Sequence, residues 1–114
     1  MSFVSRQGRI DLRVPVIFSL GGEQVAAETR NVGLGGVFVA TREPPPIGER
    51  VSLHLTLPDW DESHFVFGEV RWARGSDEGL YPLGGSGMGV RFVKLSLHVA
   101  AVLDSLIRSH TLGR

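Results

Sequence analysis

Residues 50–57 read Arg50-Val51-Ser52-Leu53-His54-Leu55-Thr56-Leu57, an unbroken alternation of polar and apolar side chains. Successive side chains of an extended strand point to opposite faces. Val51, Leu53, Leu55 and Leu57 therefore line one buried face, and Ser52, His54 and Thr56 line the other. A helix would scatter the same four apolar residues around its axis. The segment is a half-buried strand, and the rest of the fold is read outward from it.

Upstream, Val14, Val16, Phe18 and Leu20 share one face of a strand over Arg13–Leu20. Gly21-Gly22 supplies a two-residue turn and predicts a hairpin into a weaker strand over Gln24–Arg30. Val37–Thr41 is a β-branched and aromatic run, a third strand. Pro44, Pro45 and Pro46 lack the amide donor that a ladder needs, so Arg42–Gly48 is a connection. Downstream, Pro58–Glu62 reads as a turn. Phe65–Ala73 is a strand with Gly68 as a bulge, Arg74–Gly87 is a glycine-rich loop, and Met88–Val93 is the last strand. The period then lengthens. Val99, Val102, Leu103, Leu106 and Ile107 recur at helical spacing, and Ser96 is placed to cap the first turn. Six antiparallel strands left as an open sheet would expose edges, and closure removes them. The expected fold is all-β: a six-stranded antiparallel barrel with a C-terminal helix over 96–110.

The 114 residues suit one domain, with 42% apolar and 21% charged residues, as in ordinary soluble proteins. Lys+Arg and Asp+Glu each number 12, so the basic excess of a dedicated nucleic-acid binder is missing and no nucleic acid is expected as partner. The chain has no cysteine, which excludes disulfides, thiol nucleophiles and cysteine metal sites. No apolar run approaches the roughly 20 residues of a membrane span. The expected location is the cytoplasm. Lys94 is the sole lysine, so nearly all the basic charge is guanidinium, which can grip planar anions bidentately.

Two segments carry candidate chemistry. Arg9 and Arg13 stand four apart ahead of the first long strand, with Arg6 upstream. Asn31-Val32-Gly33-Leu34-Gly35-Gly36 joins the second and third strands. Its glycines permit tight turns, inward-pointing amides and close approach of a ligand to the backbone, which suits an anionic group. Asp59, Asp61, Glu62 and His64 form an acidic cluster without metal-site spacing and read as a solvated turn. No nucleophile–base pair, P-loop or dinucleotide fingerprint is present, so no enzyme and no metal are expected. Trp72 reads as core or barrel wall, and Trp60 as an exposed partner contact.

These segments together resemble the PilZ domain family. Arg9-Ile-Asp-Leu-Arg13 matches its RxxxR motif, and Asn31-Val-Gly33-Leu-Gly-Gly36 matches its [D/N]xSxxG motif. Gly35-Gly-Val-Phe-Val-Ala-Thr41, Gly68-Glu-Val-Arg-Trp72 and Gly87-Met-Gly-Val-Arg-Phe92 extend the likeness over nearly the whole chain. The resemblance implies a leading flexible segment over 1–12 carrying the RxxxR motif, then the barrel and helix over 13–114. It also implies a single-domain receptor for cyclic di-GMP, taken singly or as an intercalated dimer, that signals through an effector protein as a monomer or homodimer. By the same resemblance, Arg9 and Arg13 would hold guanine and phosphate, and Asn31 a guanine edge. Gly33, Gly35 and Gly36 would form the ligand-facing turn. Arg6, on its charge and position alone, would add a further phosphate contact. Gly33 stands where the motif has serine, which opens the alternative of an interaction module that has lost the nucleotide.

Overall fold

A computed structural model describes residues 9–57, 63–74 and 86–112. Arg6, the turn at 58–62 with Trp60, and most of the glycine-rich loop lie outside the described residues.

The chain forms β1 (Ile10–Asp11), β2 (Pro15–Leu20), β3 (Glu23–Val32), β4 (Gly36–Ala40), β5 (Arg50–Leu55), β6 (His64–Arg74), β7 (Gly87–Lys94) and α1 (Leu97–Leu112). Every pairing is antiparallel. The ladder runs β3-β2-β5-β6-β7-β4, and β4 pairs back onto β3, so these six strands close into a barrel. β1 is an extra two-residue strand beside β3, with Ile10 opposite Val32 and Asp11 opposite Asn31.

The alternation that opens the sequence reading does what it should. Val51, Leu53 and Leu55 on β5 are at most 2% exposed, and Val16, Phe18, Val66, Val70 and Val90 complete the inner wall. Gly21 and Gly22 turn the β2–β3 hairpin at positive φ, 59° and 90°, the paired left-handed geometry of a type I′ turn. The Ser96 hydroxyl accepts the Val99 amide at 3.1 Å, capping α1 as its sequence position implies. Val99, Val102, Leu103, Leu106 and Ile107 join the same apolar cluster as the strand residues, so the helix packs on the barrel core. Full burial of a side chain such as Leu103 is worth about 1.5–3 kcal/mol.

Two features depart from plain alternation. The β6–β7 register shifts at Phe67/Gly68, the expected bulge, and again between Val70 and Trp72. The second shift corrects the reading of Trp72. By parity with His64, Val66, Gly68 and Val70, Trp72 belongs inside. The bulge turns it out instead, and it is 40% exposed on the outer face.

Candidate functional site

The site is built where the leading segment lies against β3. Thr29 is fully buried. Its hydroxyl donates to the Leu12 carbonyl at 2.6 Å and accepts the Val14 amide at 3.0 Å. The Thr29 amide donates to the Val14 carbonyl at 2.9 Å, and the Leu12 amide to the Arg30 carbonyl at 3.1 Å. With Ile10 sunk into the core, these bonds fix the direction of the chain before β2. Arg9 is thereby held beside Asn31, and its Nε donates to Asn31 Oδ1 at 2.9 Å. The two sequence segments thus meet through a direct side-chain hydrogen bond. Burial lowers the Arg9 guanidinium pKa from its ordinary value, a desolvation strain that an incoming anion would offset.

Arg9 and Asn31 open onto a cavity of about 410 Å3 that is also lined by Gly35, Gly36, Phe38, Arg71, Trp72, Gly89, Val90 and Arg91. That size falls within the range of small-molecule sites. Among the described residues its lining holds three guanidinium groups and no carboxylate. Glu69 stands just behind it, 3.3 Å from Arg91 and 3.9 Å from Arg71. Gly36 is obligatory here, because a Cβ would collide with the Val90 backbone carbonyl on the adjoining β7. The Gly33 amide donates to the Gly36 carbonyl and the Phe92 amide to the Gly35 carbonyl, both at 2.9 Å, so the turn is stitched to β7.

One wall of the cavity is aromatic. Phe38 on β4 and Trp72 on β6 both pair with Gly89 on the strand between them. Strands two apart are separated by about 9.6 Å. The rings nevertheless approach to 5.0 Å between centroids, tilted by 35°. They lean together because Gly89 has no side chain; a Cβ there would lie inside the Trp72 indole. The Arg74 guanidinium sits 5.3 Å from the Trp72 centroid, within cation–π reach.

Of the candidate residues within the described chain, the cavity gathers Arg9, Asn31, Gly35 and Gly36. Arg13 is not among its lining; it is largely exposed and reaches Glu28 at 3.9 Å. Gly33 is buried and contributes through its hydrogen bond to Gly36 rather than through the lining. Arg71, Arg91 and Phe38 were not singled out from the sequence, and Trp72 was read there as core or barrel wall rather than as a ligand contact. The arginines alternate with inward residues like any solvated strand charge. The clue was the glycines on β7, which have no side chain to cover the strand between Phe38 and Trp72. Among the described residues no group of three or more His, Asp or Glu could hold a metal ion, and no helix is long and apolar enough to cross a membrane.

A family model described as the PilZ domain matches residues 4–109. No curated protein matches the chain. Among solved structures, the inhibitor of motility of Bacillus subtilis, MotI/DgrA, superposes with a TM-score of 0.75 at 17% identity, covering 93% of this chain and 50% of that one. YcgR from Escherichia coli, solved in complex with c-di-GMP, gives a TM-score of 0.71 at 16% identity over 90% of this chain and 43% of that one. The PilZ domain of YcgR with c-di-GMP gives 0.66 at 15% identity, covering 89% and 86%. The chain therefore spans half or less of the length of the two larger proteins.

Proposed function

Because the chain belongs to the PilZ domain family, we propose that it is a binding module, not an enzyme, whose ligand is cyclic di-GMP and whose output passes through an effector protein. The observation that carries this reading is the Arg9–Asn31 hydrogen bond at the mouth of a cavity lined by three arginines. The ligand has two phosphates and two guanines. Guanidinium forks suit both, since they bind phosphate bidentately and pair with the O6/N7 edge of guanine. Arg9 and Asn31 would take one guanine edge and a phosphate, and Arg71 and Arg91 the second phosphate. Trp72, 40% exposed beside Phe38, offers a stacking face for a base, with Gly35 and Gly36 leaving room at the backbone. Arg13, Gly33 and Arg6 remain part of the proposed site. Arg13 would have to leave Glu28 to reach the ligand, and its exposed ion pair is weak enough to break. Cytoplasmic residence fits a soluble second messenger.

An interaction module without nucleotide rests on Gly33 alone, and the retained cavity favours the first reading. Titration of cyclic di-GMP against the indole NMR signal of Trp72 tests it. The expected result is a saturable shift that GMP and cyclic di-AMP do not reproduce at the same concentration. An unmoved Trp72 signal at saturating ligand would contradict it.

A further inference from the structure

A second face of the barrel shares no residue with the arginine-lined cavity. Across it Ala26 lies opposite Ile17, Ile17 opposite His54, and His54 opposite Phe65; in the next row Ser52 lies opposite Phe67. Directly opposed residues of an antiparallel pair share a face. This one is the outside, because the intervening Val16, Leu53, Leu55 and Val66 are buried. Ile17, Phe65 and Phe67 are 42%, 44% and 48% exposed. The aromatic rings already form a cluster, with centroids 4.8 Å apart for both His54–Phe65 and Phe65–Phe67. The Ile17 row contains no Asp, Glu, Lys or Arg, and the Phe67 row meets a charge only at its edge, where Lys94 on β7 lies opposite Phe67, in a chain where 21% of residues are charged. Beside the cluster runs a groove of about 250 Å3 between Ile17, Gln24, His54 and Thr56. A cavity of about 150 Å3 can hold a benzene ring, so this groove is large enough for a phenyl side chain.

We propose that this face is a self-association surface on which two copies of the chain pack sheet to sheet about a two-fold axis, each seating Phe65 in the other's groove. A two-fold interface needs one patch that complements itself. A protruding ring and a recess sharing the His54 wall supply that, and a face whose centre carries no formal charge, with Lys94 only at its edge, sets no like charges against each other there. The formal net charge of zero removes repulsion at longer range. Facing sheets pack about 10 Å apart with interdigitating side chains, the spacing a phenyl knob bridges. The uncharged area, four strands wide and a few residues long, is smaller than the roughly 800 Å2 per partner of a standard interface. The dimer is therefore reversible and forms at high protein concentration.

Sedimentation velocity on the full chain without nucleotide, from low micromolar to millimolar protein, tests this. The mass is expected to climb from monomer toward dimer. Phe65→Glu and Ile17→Ser should each weaken the dimer roughly tenfold or more. Ile47→Ser, at an exposed position outside the face, should leave it unchanged, with circular dichroism of all three matching the parent. A monomer across the whole range overturns the proposal, and so does a dimer that persists in both Phe65→Glu and Ile17→Ser. Cyclic di-GMP titration of the same variants keeps this outcome separate from the nucleotide reading.

Discussion

At Arg9 a half-buried charged donor meets a side-chain acceptor, Asn31 Oδ1, at 2.9 Å. Hydrogen bonds to charged groups are worth about 1.5–3 kcal/mol. Arg9→Ala is accordingly expected to weaken cyclic di-GMP binding by about 10- to 100-fold in a calorimetric titration, with the melting temperature little changed. Gly33 is the reverse case. A serine there would add a hydroxyl worth about 0.5–1.5 kcal/mol to the ligand, so Gly33→Ser should tighten binding by about 2- to 10-fold. No change, or a loss, in the same titration would show that the turn does not face ligand at that position. The pairing of Arg9 with Asn31 was legible as two motifs but not as a bond. Nothing in residues 9–13 announces that Ile10 and Asp11 form a strand, because two residues are too few for alternation to register.

Among the elements, β5 and α1 were legible because one face of each is uniformly apolar. β6 was legible as a strand but not in its aim. Parity assigns Trp72 to the core, and a bulge is a local shift in pairing that parity cannot encode. The aromatic wall that results depends on β7, where Gly89 carries Phe38 on one side and Trp72 on the other. Gly89→Ala is expected to push Trp72 away from Phe38, shift the indole emission, and reduce ligand affinity about tenfold or more while the barrel stays folded. Thr29 joins the leading segment to β3 through two side-chain hydrogen bonds. Thr29→Val keeps the shape but leaves their partners unsatisfied, which costs about 1–3 kcal/mol. Thermal unfolding should record it as a loss of about 5 °C per kcal/mol, and binding should weaken too as Arg9 loses its fixed approach.

For the molecule as a whole, closing six strands frees the outer surface from any duty to guard edges, and that surface then divides its roles. One part is cationic and concave, built from guanidinium groups that composition hid because they are balanced by acids elsewhere. Another is aromatic and uncharged at its centre. The cationic part makes binding of a dianionic ligand salt-sensitive. Raising sodium chloride from about 0.05 M to 0.5 M shrinks the Debye length severalfold and should weaken cyclic di-GMP binding roughly tenfold. The closed barrel was legible from strand count and order. The division of its surface was not, because it depends on which strands become neighbours only after closure. The most direct measurement is isothermal titration of the intact chain with cyclic di-GMP, run beside Arg9→Ala. We expect micromolar binding in the parent and a loss of at least tenfold in the variant; a folded parent that gives no heat at hundreds of micromolar ligand would contradict the account.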